Sequence, residues 1–146
     1  MKYYMLEPEV AGGFGPNAIL DNPSARPPQV SHFHYEFDVW LGDPLLEAVA
    51  CFIVTESLKQ KIAALQPTGV AFGVVEVSKS GEFEDLYPDR NLPKFAWLKV
   101  TGKAGEDDFG LSSNHCLVVS QRILDVLRDE GLSHCDVSEF KAGSGL

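Results

Sequence analysis

The stretch that decides the fold occurs twice in the chain. Residues 51–58 read Cys-Phe-Ile-Val-Thr-Glu-Ser-Leu, and residues 116–123, which lie 65 positions later, read Cys-Leu-Val-Val-Ser-Gln-Arg-Ile. In both copies an apolar segment typical of a buried strand ends in a hydroxyl residue, Thr55 or Ser120. Such a residue can begin a helix, because its side-chain oxygen accepts a hydrogen bond from a backbone N–H of the first turn. Each copy therefore predicts a buried strand that runs directly into a capped helix.

The residues that follow each copy complete a repeated unit. Apolar side chains recur at helical spacing and predict helices at about 56–65 and 121–130. A glycine follows each helix, as is common where a helix ends. A strand is then predicted over 70–77 in the first unit and over 132–137 in the second. The chain is thus predicted to contain two similar strand–cap–helix–strand units, related by duplication or by convergence.

Residues 30–41 alternate between apolar and polar side chains, which is the period of a half-buried strand. The apolar face of this strand is predicted to carry Phe33, Tyr35, Phe37 and Val39. The polar face is predicted to carry His32, His34, Glu36 and Asp38. Trp40 follows at the end of the strand, where an aromatic ring can remain accessible.

Weaker signals place the remaining elements. Glycines and prolines up to residue 30 predict an irregular segment that wraps over the core, after a short strand at Lys2 to Leu6. The other expected elements are a turn or short helix after Pro44, a helix at Glu82 to Leu86, a strand at Phe95 to Val100 and a loop at Gly102 to Gly110. Together they predict one α+β domain over residues 1–140, with a mixed, mostly antiparallel sheet, and a flexible C-terminal tail over residues 141–146.

The charge of the chain excludes two classes of partner. Twelve basic and 21 acidic residues give a net charge of −9. No dense basic patch is present to neutralise phosphates, so we expect no direct binding of nucleic acid. The same charge disfavours an anionic membrane surface. It would suit a basic protein partner or solubility alone.

The cysteines and the apolar pattern predict a cytoplasmic protein. Cys51, Cys116 and Cys135 are odd in number and show no local spacing motif, so they do not form a disulfide framework. Free cysteines fit a reducing compartment. The first residues lack the apolar region of a signal peptide, and no apolar run approaches the roughly 20 residues that span a bilayer.

One cluster could carry metal chemistry. Alternate residues of a strand project to the same side, so His32, His34 and Glu36 could converge on a metal ion. A metal-dependent enzyme using this His-x-His-x-Glu face is therefore the alternative function. The same pattern also fits the solvated face of a half-buried strand, and we expect no cofactor and no catalytic residue.

Acidic runs could instead form a recognition surface. One run lies within residues 82–89 and another at 106–108, and both also fit solvated loops. Carboxylates raise the association rate and selectivity for a basic partner, and aromatic side chains supply the anchors of such an interface. The candidate anchors are Tyr35, Trp40, Tyr87 and Trp97, of which Trp40 is favoured and Trp97 is expected in the core.

Several strings resemble a known family. These are His34-Tyr35-Glu36-Phe37-Asp38-Val39-Trp40-Leu41-Gly42-Asp43, Phe52-Ile53-Val54-Thr55-Glu56-Ser57-Leu58, Leu92-Pro93-Lys94-Phe95-Ala96-Trp97-Leu98-Lys99-Val100 and Leu117-Val118-Val119-Ser120. They resemble uncharacterised bacterial proteins classed with the immunity proteins of polymorphic toxin systems. The resemblance spans roughly residues 1–140 and is moderately specific only in combination.

The resemblance implies a cytoplasmic, non-catalytic α+β protein that binds and neutralises a cognate toxin. The acidic balance is compatible with a basic nuclease as that toxin. Charge, aromatic residues and the resemblance together motivate a partner-binding surface, for which the predicted residues are Tyr35, Glu36, Asp38, Trp40, Asp107 and Asp108.

Overall fold

The computed structural model describes residues 2–22, 24–25 and 29–141. The described residues form strands and helices in an α+β arrangement, as the sequence predicts. The elements in chain order are β1 (Tyr3–Glu7), β2 (Gly12–Phe14), β3 (Ile19–Asn22), β4 (Gln29–His32), β5 (His34–Phe37), β6 (Leu45–Ala48), β7 (Cys51–Thr55), α1 (Glu56–Ala64), β8 (Val70–Gly73), β9 (Glu76–Lys79), α2 (Gly81–Leu86), β10 (Phe95–Val100), β11 (Phe109–Leu111), β12 (Leu117–Ser120), α3 (Gln121–Asp129) and β13 (Asp136–Phe140).

Two four-stranded antiparallel sheets share one topology. Their strand orders are β6-β7-β10-β8 and β11-β12-β1-β13. In each sheet an edge hairpin leads to a strand that runs into a helix, α1 or α3, and the chain returns at the opposite edge. One strand lies between the strand that precedes the helix and the strand that follows it. This strand is β10 in the first sheet and β1 in the second. The repeat in the sequence is therefore a repeat of the fold.

The two helices of the repeat begin differently. Thr55 caps α1 as predicted, because its hydroxyl oxygen accepts a hydrogen bond from the Leu58 N–H at 3.2 Å. Ser120 occupies the same position before α3 but makes no side-chain cap. Its hydroxyl donates to Asp108 at 2.6 Å instead. The predicted cap at Ser120 is thus wrong, since a buried carboxylate competes for the hydroxyl.

Both units contribute to one hydrophobic core. Leu58 and Ile62 of α1 and Ile123, Leu124 and Leu127 of α3 are at most 1% exposed. They pack on strand residues of the two four-stranded sheets, including Phe52, Val54, Leu98, Leu117 and Val119. Burying each leucine or isoleucine contributes about 1.5–3 kcal/mol. The helical spacing of these apolar residues is what directs both helices onto the same core.

A second core lies on the other face of the sheet β6-β7-β10-β8. It faces a three-stranded sheet of order β2-β5-β9, in which β5 and β9 run parallel and β2 and β5 antiparallel. Buried aromatic rings of Phe33, of β5 and of α2 fill this core, with Phe33, Tyr35, Phe37 and Phe83 each at most 1% exposed. A short ribbon of β3 and β4 completes the strands. The candidate site described below borders this second core.

Residues 30–41 form two strands rather than one. β4 pairs with β3, whereas β5 lies between β2 and β9, and Phe33 separates them. Residues 70–77 likewise divide into β8 and β9, which belong to different sheets, with Val74 between them 87% exposed. An alternating pattern reports which side of a strand is apolar, but it does not show where the chain leaves one sheet for another.

Other predicted elements differ at turns and edges. Residues 45–48 form β6, not a helix, because Val49 and Ala50 turn the chain with φ of 45° and 61°. Such turns favour asparagine and glycine, so this one carries no sequence signal. The short strand predicted at Lys2 to Leu6 is present as β1, which lies between β12 and β13, and β2 and β3 form within the segment that was predicted to be irregular. The last strand begins at Asp136, not Leu132. Residues 142–146 of the predicted tail lie outside the described residues.

Candidate functional site

The three residues of the alternative metal site do not converge. His32 lies on β4 and its Nε2 is 2.8 Å from Oε1 of Glu76, on β9. His34 lies on β5 and is 2% exposed. Its Nδ1 accepts from the Asn17 N–H at 3.1 Å, so Nε2 carries the ring proton and donates to the hydroxyl of Ser78 at 2.7 Å.

Glu36 is half-buried and belongs to no group of three potential ligand side chains among the residues that the structure describes. The carboxylate beside His32 is that of Glu76, whose pKa is lowered by its hydrogen bonds with His32 and Asn17. The predicted set His32, His34 and Glu36 is therefore corrected: His34 supports the fold, and His32 forms a surface pair.

Tyr35 cannot serve as an exposed anchor. It is fully buried, and its hydroxyl accepts from the Ala11 N–H at 3.0 Å and donates to the Glu47 carbonyl at 3.1 Å. Burial raises the pKa of this phenol well above its usual range. The role predicted for Tyr35 is therefore wrong, because the ring fills the second core and its hydroxyl joins two segments of backbone.

Asp108 is also buried, so its side chain is not available to a partner. It is 8% exposed, and its carboxylate accepts hydrogen bonds from Ser120, from Arg122 and from the Thr68 N–H. The hydrogen bonds from Arg122 hold its pKa well below the usual range. Asp107 beside it accepts from the Lys103 N–H at 2.7 Å and is half-buried. Asp108 thus joins segments of the two repeat units, and its predicted contact with a partner is corrected.

The other predicted residues lie together at the end of β5. Glu36, Asp38 and Trp40 are each half-buried. The Trp40 indole N–H donates to the Asp43 carbonyl at 3.0 Å, and its ring packs edge-on against Phe37 with centroids 6.5 Å apart. These contacts hold the indole in one orientation beside the second core.

The helix α2 brings one acidic run to this place. Its Phe83 ring lies 6.3 Å from that of Phe37, and the Ser80 N–H before the helix donates to the Phe37 carbonyl at 2.9 Å. The exposed residues of this segment include Glu82, Glu84, Asp85, Leu86 and Asp89. The predicted acidic run and the predicted anchor Trp40, which are distant in sequence, therefore border the same aromatic cluster.

Arg90 connects α2 to Trp40. Its guanidinium carbon lies 4.5 Å from the centroid of the Trp40 ring and 5.1 Å from that of Tyr87. One guanidinium N–H donates to the Trp40 carbonyl at 2.8 Å. We call this surface the α2 face and define it by its members, Asp38, Trp40, Glu82, Glu84, Asp85, Leu86, Tyr87, Asp89 and Arg90.

The α2 face is strongly acidic. It carries five carboxylates and one guanidinium. None of these carboxylates forms a salt bridge within residues 2–22, 24–25 and 29–141. Unneutralised carboxylates around rigid aromatic rings give a surface that attracts and can hold a basic group.

A groove lies beside the α2 face. It has a volume of about 470 Å³ and runs between β9 and the segment before β10. Its walls include Val75, Val77, Leu92 and Phe95, and Lys79 and Lys94 add positive charge. Ser78 also lines the groove, and its hydroxyl accepts from Nε2 of the buried His34 at 2.7 Å. Glu56 is the one carboxylate among the residues that line the groove.

A separate cluster joins three loops by side chains. Asp43 is 1% exposed and accepts from the backbone N–H groups of Ser133 and His134, and from the His134 Nδ1 at 3.0 Å. Glu9 is 8% exposed, and its Oε2 accepts from the Leu41 N–H at 2.9 Å. Burial raises the pKa of Glu9. One potential metal-ligand atom from each of Glu9, Asp43 and His134 lies within 4.8 Å of the other two.

Sequence reasoning did not find this cluster. The three residues are far apart in the chain and belong to no local motif, so no spacing signal points to them.

The chain matches no family model and no curated protein. Among the described residues, no helix has the length and apolar character needed to cross a membrane.

Proposed function

We propose that this protein is a non-catalytic binding protein of the immunity type, which neutralises a cognate bacterial toxin in the cytoplasm. The α2 face covers a basic surface of that toxin. The observation that carries this proposal is the stacking of Arg90 on Trp40 and Tyr87 next to α2, whose exposed carboxylates form no salt bridge among the described residues. The resemblance to immunity proteins supports the class of partner.

The composition of the α2 face suits protein recognition. Tryptophan, tyrosine and arginine contribute most of the binding energy in many interfaces. Here Arg90 is already stacked between Trp40 and Tyr87, so little conformational entropy is lost when a partner contacts them. Leu86, which is 56% exposed, adds apolar surface beside them. The surrounding carboxylates would accelerate association with a basic toxin.

The first experiment tests for the partner. The protein is co-expressed with the product of the neighbouring gene, and the complex is isolated by size-exclusion chromatography. The proposal requires a stable complex and protection of the cell from that gene product. If the two proteins do not associate, the proposal is wrong.

The second experiment tests the surface. The variant E82Q/E84Q/D85N removes three negative charges from the α2 face without changing side-chain shape. Its affinity for the toxin, measured by biolayer interferometry, should fall at least about tenfold, chiefly through slower association. The dependence of binding on salt should become weaker, because fewer charges attract the partner.

A matched control separates the local surface from overall charge. The variant E7Q/D129N/D136N removes the same number of charges from exposed carboxylates elsewhere. It should reduce the affinity by less than about threefold, since screening limits distant charges at physiological salt. Equal loss in both triple variants would show that net charge, not the α2 face, attracts the partner, and would overturn the assignment of the surface.

A further inference from the structure

The cluster of Glu9, Asp43 and His134 contains one atom that its hydrogen bonds do not explain. Oε1 of Glu9 is buried and has no hydrogen-bond partner within the described part of the chain. A buried carboxylate oxygen without a partner is costly, because it loses its water and gains nothing in return. A carboxylate oxygen of Glu9 also lies within 4.8 Å of ligand atoms of Asp43 and His134. A cation held by these three side chains would give the buried Glu9 carboxylate the partner that Oε1 lacks.

We propose that Glu9, Asp43 and His134 form a binding site for one zinc ion. Two carboxylate oxygens and one imidazole nitrogen are a donor set that Zn²⁺ accepts readily. Ligands at about 2.0–2.2 Å in a tetrahedron stand roughly 3.3–3.6 Å apart. The Asp43 and His134 ligand atoms are 3.0 Å apart, and all three ligand atoms lie within 4.8 Å of one another, so small side-chain shifts would bring them to that separation.

The surroundings of the cluster fit such a site. The Leu41 N–H orients Glu9, and the N–H groups of Ser133 and His134 orient Asp43, which is the arrangement that positions metal ligands. The His134 side chain is 45% exposed, so water can reach the outer side and supply a fourth ligand. Because His134 Nδ1 now donates to Asp43, zinc binding through this nitrogen requires the tautomer in which Nε2 carries the ring proton.

A bound zinc ion would connect three loops. Glu9 follows β1, Asp43 precedes β6, and His134 lies between α3 and β13. A ligand that binds only the folded chain raises the stability of that chain. The expected effect is structural, and it does not depend on the proposed toxin-binding function.

The test is a titration of the tag-free protein with ZnCl₂, after treatment with EDTA and removal of the chelator. Calorimetry should show one zinc ion per chain. The Tm should rise by roughly 5–10 °C at a zinc concentration about 100-fold above the Kd. MgCl₂ at the same concentration should not raise the Tm, because Mg²⁺ prefers oxygen ligands and keeps its water.

Two variants assign the binding to this cluster. Glu9→Gln keeps an oxygen that can accept from Leu41, and His134→Ala removes the imidazole at an exposed position. Each should weaken zinc binding at least about tenfold, since one ligand of three is lost. Circular dichroism of the zinc-free variants verifies that they fold.

His32→Ala is the matched control. The His32 side chain is 45% exposed, as is that of His134, and it also contacts a carboxylate, Glu76 at 2.8 Å. This variant should bind zinc as tightly as the unaltered protein. Absence of zinc binding by the unaltered protein, or equal binding by folded Glu9→Gln and His134→Ala, would overturn the proposal. Loss of binding in His32→Ala would place the ion at the surface pair instead and would also overturn it.

Discussion

Asp108 joins segments that are distant in the chain, and the substitution Asp108→Asn should destabilise the fold. Its carboxylate accepts hydrogen bonds from the Thr68 N–H at 3.0 Å and the Ser120 hydroxyl at 2.6 Å. It also accepts two from the Arg122 guanidinium, at 3.0 and 2.7 Å. Asparagine has the same shape but only one oxygen. Its NH₂ group would face groups that are themselves donors, so about half of these contacts would be lost.

The magnitude follows from the burial of the carboxylate. The Asp108 side chain is 9% exposed, so water does not replace the missing acceptor. Two lost hydrogen bonds to a buried group cost about 1–1.5 kcal/mol each, or about 2–3 kcal/mol in all. We assign nothing further to charge attraction, because the Arg122 side chain is 49% exposed and solvent screens it. With a urea m-value of about 2 kcal/mol per M, the unfolding midpoint should fall by about 1–1.5 M.

Urea denaturation at pH 7 measures this loss, and Asp107→Asn is the matched control. Asp107 is half-buried and accepts one backbone hydrogen bond, from Lys103, so its substitution should cost less than about 1 kcal/mol. If both substitutions lower the midpoint equally, the reasoning about Asp108 is refuted.

The pH dependence supplies a second check. Because Arg122 lowers the pKa of Asp108 in the folded protein, the contribution of this carboxylate is fully present above the pKa of a free aspartate, about 3.9. It is lost as the pH falls through the lower folded value. The stability difference between the unaltered protein and Asp108→Asn should therefore be constant from about pH 7 to pH 5 and shrink below about pH 4. A difference that grows in acid would contradict the cause assigned to the shift.

Three further predictions concern other buried positions. Tyr35→Phe should cost about 1–2 kcal/mol in urea unfolding, because two backbone groups lose the hydroxyl that serves them; an unchanged midpoint would contradict this. Burial raises the pKa of the Cys51 thiol to about 11, so mass spectrometry should show iodoacetamide labelling of Cys51 only in urea-unfolded protein. Rapid labelling of the native protein would contradict the burial of this thiol. Gly12→Ala places a Cβ atom 1.8 Å from a backbone oxygen of β5 and should lower the Tm by more than about 5 °C. The control Gly13→Ala, whose Cβ meets nothing within 4 Å, should change the Tm by less than about 2 °C. Equal shifts of Tm would show that the close approach of β2 to β5 is not what requires glycine.

The repeated segments were predictable because their signals are local. A buried strand, a hydroxyl residue and an apolar helical period occur within a few neighbouring residues, so α1 and α3 follow from the sequence. The turn at Val49 and Ala50 was not predictable, since neither residue is typical of positive φ. The pairing of β6 with β7, not the conformational preference of these two residues, determines the backbone conformation of this turn.

The candidate sites were predictable only in part. Alternation placed Tyr35 on the apolar side of its strand, but it could not show that a second sheet covers that side. Trp40 and the acidic run at α2 were each recognisable alone. Their common position depends on the parallel pairing of β5 with β9, which brings the start of α2 to the end of β5.

The sequence by itself determined the α+β class, the two repeated units, the acidic balance and the apolar residues that drive burial, because composition and short periods express these directly. The tertiary structure alone decided which polar side chains are covered and which meet. Asp108 is buried, Trp40 packs against Phe37 and Phe95, and Glu9 lies near Asp43 and His134. These contacts depend on strand pairing between segments that are distant in sequence. The pairing is selected by the free energy of burial and hydrogen bonding summed over the whole fold, which no local pattern expresses.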